Sequence, residues 1–455
     1  MGVNPDGAGA DSGGDGARAG SSLEERLFPG IGPGIRLGLD RVEEALEALG
    51  RPHGRYPVLQ VGGTNGKGSV AVVWAAALQA AGFRVGLFTS PHLCSFRERF
   101  VVDGEPAGEA ELEAGAPRIR PVAERHGLSF FEASTLLAFH LFAQRGVDAA
   151  VMEVGLGGRL DATTVADPVV TAVTNVSLDH REYLGDTLED VAREKAGIAR
   201  SGVPFVTSER EAGIRSILWE GARGAGAPFQ FLDPDAEVRD LTWGPEGTRF
   251  RMATETWGEL TLESPLPGWY QAANVAVAVR ALEHLPPELL PHRRAVVEGV
   301  RVARNPGRLQ MIQTGGRSWL LDVAHNPAGA HSLAASMDGL SLPEPITFVV
   351  GILADKDWKG ILAALGASAQ DTILTVPPSA APGRMWDPAE AAAGLSPSPE
   401  VEPDFDRALA RAHEASAPGG SVVVTGSFAT VGDALSRLGC PSWPRISGTV
   451  HLTSS

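Results

Sequence analysis

The chain has little cysteine, no long apolar run and no broad basic patch, and each shortage removes a class of protein. Two cysteines among 455 residues, Cys94 and Cys440, lie in distant segments and imply no disulfide framework. No stretch approaches the roughly 20 apolar residues that a membrane-spanning helix needs. Residues 1–22, rich in Gly, Ala and Asp, lack the apolar core of a signal peptide and read as a disordered tail. A formal net charge of −16 speaks against a nucleic-acid partner. It does not exclude an anionic ligand, which local lysines and arginines would hold. No internal repeat is visible. These absences lead us to expect a cytoplasmic protein; the sequence leaves the oligomeric state open, with a monomer as the default.

What is present is a phosphate-holding turn. The apolar run over residues 56–61 stops at Gly63-Thr64-Asn65-Gly66-Lys67-Gly68-Ser69, and the pattern predicts a helix over 70–81. Glycines let backbone N–H groups turn toward an anion, a helix N-terminus adds partial positive charge, and Lys67 adds a full one. The generic pattern G-x-x-x-x-G-K-[ST] is not met: Gly62 is one residue too near, and Gly68 separates Lys67 from Ser69. On this segment alone, a glycine-rich hairpin with an incidental lysine stays open.

A chain of 455 residues is too long for one core. Short apolar runs alternate with amphipathic stretches, the pattern of a parallel sheet covered by helices. Strands are expected at 58–62, 85–88, 149–153 and 169–174. A small antiparallel insertion is expected at 229–261 and a helix at 271–285. Pro and Gly interrupt the pattern at Arg304-Asn305-Pro306-Gly307. A second alternating block follows, with strands at 319–323, 347–351, 372–376 and 421–425. Residues 377–403 are Pro/Ala-rich and expected to be partly irregular. We therefore divide the chain into a tail (1–22), a first α/β domain that carries the phosphate-holding turn (23–303), a linker (304–310), a C-terminal α/β domain (311–440) and a second tail (441–455).

Several polar residues sit at strand ends. Glu153 closes the run Ala149-Ala150-Val151-Met152-Glu153, where a carboxylate points into the ligand crevice of a parallel sheet and suits Mg²⁺ on a nucleotide. The competing role is a loop carboxylate paired with Arg159. Asp179-His180 follows the next strand, and His180 is either a satisfied polar residue or a ligand. Glu194-Lys195 lies on a helical stretch and alone reads as a solvated pair. Gly426 and Ser427 end a strand and open a helix, another turn able to face an anion.

These motifs, with Thr89-Ser90-Pro91-His92-Leu93, Phe131-Glu132, Glu153 through Thr163, Leu178-Asp179-His180, Glu194 through Ile198, Pro306-Gly307-Arg308-Leu309-Gln310, Asp322-Val323-Ala324-His325-Asn326-Pro327, Asp355-Lys356-Asp357-Trp358 and Thr425-Gly426-Ser427, occur in a specific order and spacing. Together they resemble the dihydrofolate synthase/folylpolyglutamate synthase family, within the ATP-dependent Mur ligases, over about residues 35–432. The resemblance implies a two-domain α/β fold. Its N-terminal P-loop-type ATPase domain has a mostly parallel sheet and a small β insertion, and its C-terminal domain is Rossmann-like.

It also implies site residues. Thr64, Asn65, Gly66, Lys67, Gly68 and Ser69 would cradle the ATP phosphates. Ser90 and Glu153 would hold a first Mg²⁺. His180 would hold a second with Lys195, which must then be carbamylated, since an ammonium cannot ligate a cation. Asn274, Asp322 and His325 would contact adenine and ribose. Arg308 would reach the phosphates from the second domain, unless it only makes a linker salt bridge. The pterin would meet Ile35, Arg36, Leu37, Ser129, Phe130, Phe131, Glu132, Leu160, Asp161 and Ala162, with Phe131 as a flat face and Asp161 as a carboxylate. Ordinary core packing is the alternative for Phe131. His325 and Ser427 are the candidates for glutamate.

Tyr270, Val323, Asn305 and Thr164 depart from the family's usual His, Gly, Trp and Asn, and touch adenine packing and substrate breadth rather than the reaction. Arg384 matches an arginine of the second domain only loosely. The implied activity joins L-glutamate to dihydropteroate and to folate polyglutamates with ATP and two Mg²⁺ ions. The alternatives are polyglutamylation alone, a peptidoglycan-precursor ligase, or a nucleotide-binding regulator without catalysis.

Overall fold

The computed structural model describes residues 22–32, 34, 36, 38–366, 371–396, 398–416, 418–440 and 443. Ile35, Leu37 and nearly all of both tails lie outside the described residues. Among those described, no helix is long and apolar enough to cross a membrane.

Two α/β domains and a small β insertion form the molecule. The first sheet has eight strands. From one edge they run Glu105–Pro106, Phe100–Val102, Val85–Phe88, Ala149–Glu153, Val58–Gly62, Pro168–Val173, Phe205–Thr207 and Phe229–Phe231. Only the first two pairings are antiparallel. Ala149–Glu153 and Val58–Gly62 are buried on both faces, so they read as continuous apolar runs rather than alternating ones. Val58–Gly62 lies between Ala149–Glu153 and Pro168–Val173, so the C-terminal ends of all three open onto one crevice.

The helix that follows the phosphate loop is Lys67–Ala80, three residues earlier than its apolar pattern predicts. Gly66, at φ 88°, turns the chain early, which puts Lys67, Gly68 and Ser69 in the first turn. The helix is apolar all round because two neighbours cover it. Trp74 Nε1 donates to Ala278 O (2.9 Å) of Gln271–Leu282. On its other side lies Arg293–Val302, where a Cβ on Gly299 would stand 2.3 Å from Ala77 Cα. Burial here overrides the low helix propensity of Val70, Val72 and Val73.

The antiparallel insertion is narrower than expected. Phe229–Phe231 pairs in parallel with the main sheet, and the separate sheet is Arg239–Gly244, Gly247–Thr254 and Gly258–Ser264. Gln271–Leu282 also stops three residues short of the expected end. The second domain holds six strands in the order Gln310–Thr314, Arg317–Leu321, Ser421–Thr425, Ile346–Val350, Asp371–Leu374 and Glu400–Val401. Its first pair is an antiparallel hairpin, which the apolar-run reading missed because Gln310–Thr314 is only partly buried. The Pro/Ala-rich stretch is more regular than expected, with a turn of helix at Pro382–Arg384, a helix at Pro388–Ala393 and the edge strand Glu400–Val401.

Candidate active site

A cavity of about 660 Å³ lies between the two domains. The phosphate loop forms one wall, and two of its residues can only be glycine. At Gly63 (φ +135°) a Cβ would stand 1.9 Å from Thr174 Oγ1, and at Gly66 it would stand 2.4 Å from Asn274 Oδ1. The strand-following segment pins the loop: Thr64 N–H donates to Asn175 O (2.8 Å) and Asn65 N–H to Asn175 Oδ1 (3.0 Å). Lys67 folds back over the turn and donates to Gly63 O (3.2 Å) and Thr64 O (3.1 Å). Burial lowers its pKa, while Glu153 and Asp179 resist. The hydroxyl of Ser69 accepts from Asn305 (3.1 Å), so this departure from the family pattern ties the interdomain connector to the loop.

Ser90 and Glu153 meet: the Ser90 N–H donates to Glu153 Oε2 at 3.1 Å. Burial raises the Glu153 pKa, and Lys67, the Ser90 N–H, Arg308 and Arg99 pull it back. Arg159 pairs with Glu194 (2.7 Å), not with Glu153, which leaves that carboxylate facing the cavity. Lys195 is no solvated partner of Glu194. It is buried, it lines the cavity and it has no hydrogen-bond or ion-pair partner among the described residues. Burial, helped by Lys67, lowers its pKa to about 7. No group of three His, Cys, Asp or Glu residues among those described could hold a metal by itself. Any ion here needs a hydroxyl, a phosphate or a modified lysine to complete its shell.

Asp179 is the hub between the domains. Lys356 Nζ lies 2.6 Å from its Oδ1, His325 Nε2 lies 3.3 Å from Oδ2, and Asn326 donates to it at 3.2 Å. Burial pushes the Asp179 pKa up, but His325, Lys356 and His180 together hold it well below the usual carboxylate range. His180, at φ 51°, turns its Nε2 toward Lys356 Nζ (3.1 Å). Burial and Lys356 lower its pKa to about 4, so the ring is neutral and able to accept. Lys356 is the main residue the sequence reading passed over; its motif was used only for the resemblance. Asn326, bonded to Asn65 (3.1 and 3.3 Å), is another.

From the second domain, Arg308 lies over the Phe428 ring, 4.9 Å from its centroid, and lines the cavity. Burial raises the pKa of Asp322 and the Arg308 charge opposes this, while the Asp322 oxygens accept from Leu309 and Ala324 N–H groups (both 2.9 Å). Asn274 is oriented by Gln271, whose Oε1 accepts its amide at 2.9 Å. Tyr270 and Val323 also line the cavity. Thr164 instead donates to Gly158 O (2.8 Å) and accepts from Gln60 (2.8 Å) beneath the loop. Arg384 pairs with Asp355 at 2.7 Å.

Ser427 departs from its expected role. It is buried as the N-cap of Phe428–Arg437, accepting from Thr430 N–H (3.1 Å), so its hydroxyl is committed to the helix and Phe428 faces the cavity instead. The described residues assigned to the pterin do not line the cavity. Ser129 and Glu132 cap the helix Phe130–Arg145, with Arg41 on Glu132. Arg36 donates to Gly127 O. Phe131 packs on Gly155, where a Cβ would stand 2.3 Å from its ring, and on Phe88. Asp161 accepts from the N–H groups of Gly155 (3.0 Å), Leu156 (2.9 Å) and Thr163 (3.0 Å) and from the Thr163 hydroxyl (2.6 Å). Its four acceptor positions are thus used by the loop. Leu160 is half-buried and Ala162 buried beside it.

Comparison with known proteins matches residues 61–282 to the Mur ligase middle domain and residues 307–428 to the Mur ligase glutamate ligase domain. The Dihydrofolate synthase/folylpolyglutamate synthase of Escherichia coli is 37% identical over 339 residues, covering 74% of this chain and 77% of that protein. The protein of the same description in Bacillus subtilis is 34% identical over 341 residues, covering 73% and 79%. The chain spans about half (48%) of a probable bifunctional folylpolyglutamate synthase/dihydropteroate synthase of Haloferax volcanii, at 35% identity. Among solved structures, E. coli FolC in complex with DHPP and ADP superposes with a TM-score of 0.79 at 32% identity, covering 92% of this chain and 98% of that one. Mycobacterium tuberculosis folylpolyglutamate synthase complexed with ADP gives 0.82 at 30%, covering 92% and 97%. Two matched domains, identity above 30% over most of the length of the E. coli and B. subtilis proteins and a shared fold make this chain a member of the dihydrofolate synthase/folylpolyglutamate synthase family of Mur ligases.

Proposed function

We propose that the chain joins L-glutamate to dihydropteroate and extends folate glutamates, using ATP. The observation that carries this reading is one cavity lined by Lys67 of the phosphate loop, Glu153 of the first domain and Arg308 of the second. In the reaction, an oxygen of the substrate carboxylate attacks the terminal phosphorus of ATP, and ADP leaves. The amine of glutamate then attacks the acyl carbon of that acyl phosphate, the amine proton is released, and inorganic phosphate departs as the amide forms.

Lys67 and Arg308 would neutralise charge on the transferred group, and closure around the cavity would exclude water. Holding the reactants in line is worth about 7–11 kcal/mol of such a barrier. Thr64, Asn65, Gly66, Gly68 and Ser69 supply the phosphate cradle, and Asn274, Asp322 and His325 the nucleoside end. His325 also stays a glutamate candidate, joined by Lys356, whose ammonium lies beside it on Asp179. Phe131 with the loop from Leu160 to Ala162 remains our choice for the pterin, through ring stacking and backbone groups rather than the occupied Asp161 carboxylate.

The donor set fits two Mg²⁺ ions. Ser90 and Glu153 would hold one, and His180 with a carbamylated Lys195 the other. The ions would supply electrostatic stabilisation of the phosphoryl group. A buried amine with a pKa near 7 is partly neutral at physiological pH and so able to take up CO₂, which supports the carbamate. We place the enzyme in the cytoplasm as a monomer acting on small molecules.

ADP release with Mg²⁺-ATP and L-glutamate tests the reading. Turnover with both dihydropteroate and tetrahydrofolate is expected. Turnover with tetrahydrofolate alone would leave a polyglutamylating enzyme, and silence with both from protein that binds ATP would overturn the folate assignment.

A further inference from the structure

One arginine beside the site has no role in the reaction as described. Arg99 ends the turn Phe96–Arg99, and its carbonyl accepts from Thr89 N–H (3.3 Å), next to Ser90. Its guanidinium lies 5.6 Å from the ring centroid of Phe96 and 5.8 Å from that of Phe130. Nε donates to His92 Nδ1 at 3.0 Å, and the two Nη groups have no partner among the described residues.

The arginine is firmly oriented. His92 accepts at Nδ1 from the Arg99 Nε, so that ring nitrogen carries no proton. The remaining ring proton then sits on Nε2, which faces Glu24 of the helix Leu23–Leu27 at 3.4 Å. Glu24 thus fixes the His92 tautomer, and His92 fixes the plane of the guanidinium. Arg99 feels the charges of Glu24, Glu153 and Glu98, so its guanidinium lies within electrostatic reach of the metal-side carboxylate Glu153.

The location matters because of what must pass there. A substrate whose ring rests by Phe130 and Phe131 has to bring its carboxylate to a phosphate held beside Ser90 and Glu153. Two anions must meet, and the carboxylate must lose water first. A planar fork with two free N–H edges replaces that water and offsets the repulsion.

We propose that the Arg99 Nη groups bind the reacting carboxylate of the acyl substrate and present it to the terminal phosphate of ATP, with His92 and Glu24 as positioning residues. This inference rests on the acyl-phosphate reading above. The test measures equilibrium binding, with Mg²⁺ and a non-hydrolysable ATP analogue, of two ligands. One is the acyl substrate accepted in the ADP-release assay, dihydropteroate or tetrahydrofolate; the other is its analogue with hydrogen in place of the reacting carboxylate.

Wild-type protein should prefer the carboxylate ligand by about ten- to hundredfold, the range of a charge-assisted hydrogen bond. Arg99→Gln should lose that preference while binding ADP and the analogue as wild type does, and Arg99→Lys should recover part of it. A preference retained in Arg99→Gln, or equal weakening of both ligands, would overturn the role of Arg99. If Arg99→Gln does not fold, full wild-type preference in Arg99→Lys would overturn it instead. Wild-type protein that binds ADP but neither ligand would refute the acyl-substrate reading itself, and this inference with it.

Discussion

Lys195, on the helix Leu188–Ala196, is buried at the cavity with no ion-pair partner among the described residues. Its pKa falls from 10.5 unfolded to about 7 folded. Between those values the unfolded chain binds more protons, so this residue makes stability rise with pH from about 7 toward 10.5, and its cost is fully present below 7. Lys195→Met should therefore raise the melting temperature at pH 6.5 by several degrees, and the gain should shrink steadily at higher pH. Equal gain at every pH would mean that burial does not lower the pKa of this lysine. Activity should vanish in the same variant if the carbamate is needed, and added bicarbonate should raise wild-type activity but not restore the variant. Lys67 gives the opposite case, since we propose that its charge meets the phosphates of ATP. Lys67→Ala should lower kcat by about 10²–10³, the scale of one preorganised charge donor, with a smaller loss of ADP affinity. A variant within twofold of wild type would remove Lys67 from the phosphate site.

At the scale of elements, the first-domain strands were legible because a strand buried on both faces is written as an unbroken apolar run, as in Val58–Gly62 and Ala149–Glu153. What escaped were features whose signals are not local. The start of Lys67–Ala80 was hidden because the positive φ of Gly66, not apolar spacing, decides it. The hairpin strand Gln310–Thr314 has little apolar contrast. Ser427 looked like an anion site because a cap and a ligand contact use the same hydroxyl. Lys356 could not be placed at all without the tertiary contact that brings it to Asp179, 177 positions away. The contact of Lys67–Ala80 with Arg293–Val302 also rests on one small residue, Gly299, against the Ala77 backbone. Backbone cannot yield as a flexible side chain does, so Gly299→Val should cost at least the about 1–3 kcal/mol typical of overpacking. Denaturant unfolding measures this, and a loss under about 0.5 kcal/mol, the scale of a neutral surface change, would show that the helices can separate freely.

Across the whole molecule, a cavity built from two domains works only while the domains keep their register. The site side of that register is polar: Asp179 with Lys356 and Asn326, and Asn65 with Asn326. Away from the site it is apolar. The insertion strand Arg239–Gly244 packs the partly buried Trp243 against the core of the second domain, where the helix Pro327–Leu340 leaves room for it at Gly339. A Cβ on Gly339 would stand 2.0 Å from Trp243 Cη2, so indole and glycine fit as key and socket. Gly339→Val should push the indole out and loosen the domain contact while each domain keeps its own core. Scattering should then report a larger radius of gyration, and kcat/KM for the acyl substrate should fall about tenfold, as misplacement far from the chemistry does. Trp243→Ala removes the obstacle, so Gly339→Val made in that background should cost much less than in wild type. If the two changes instead add independently, the insertion does not latch the domains, and the polar contacts at Asp179 must hold the register alone.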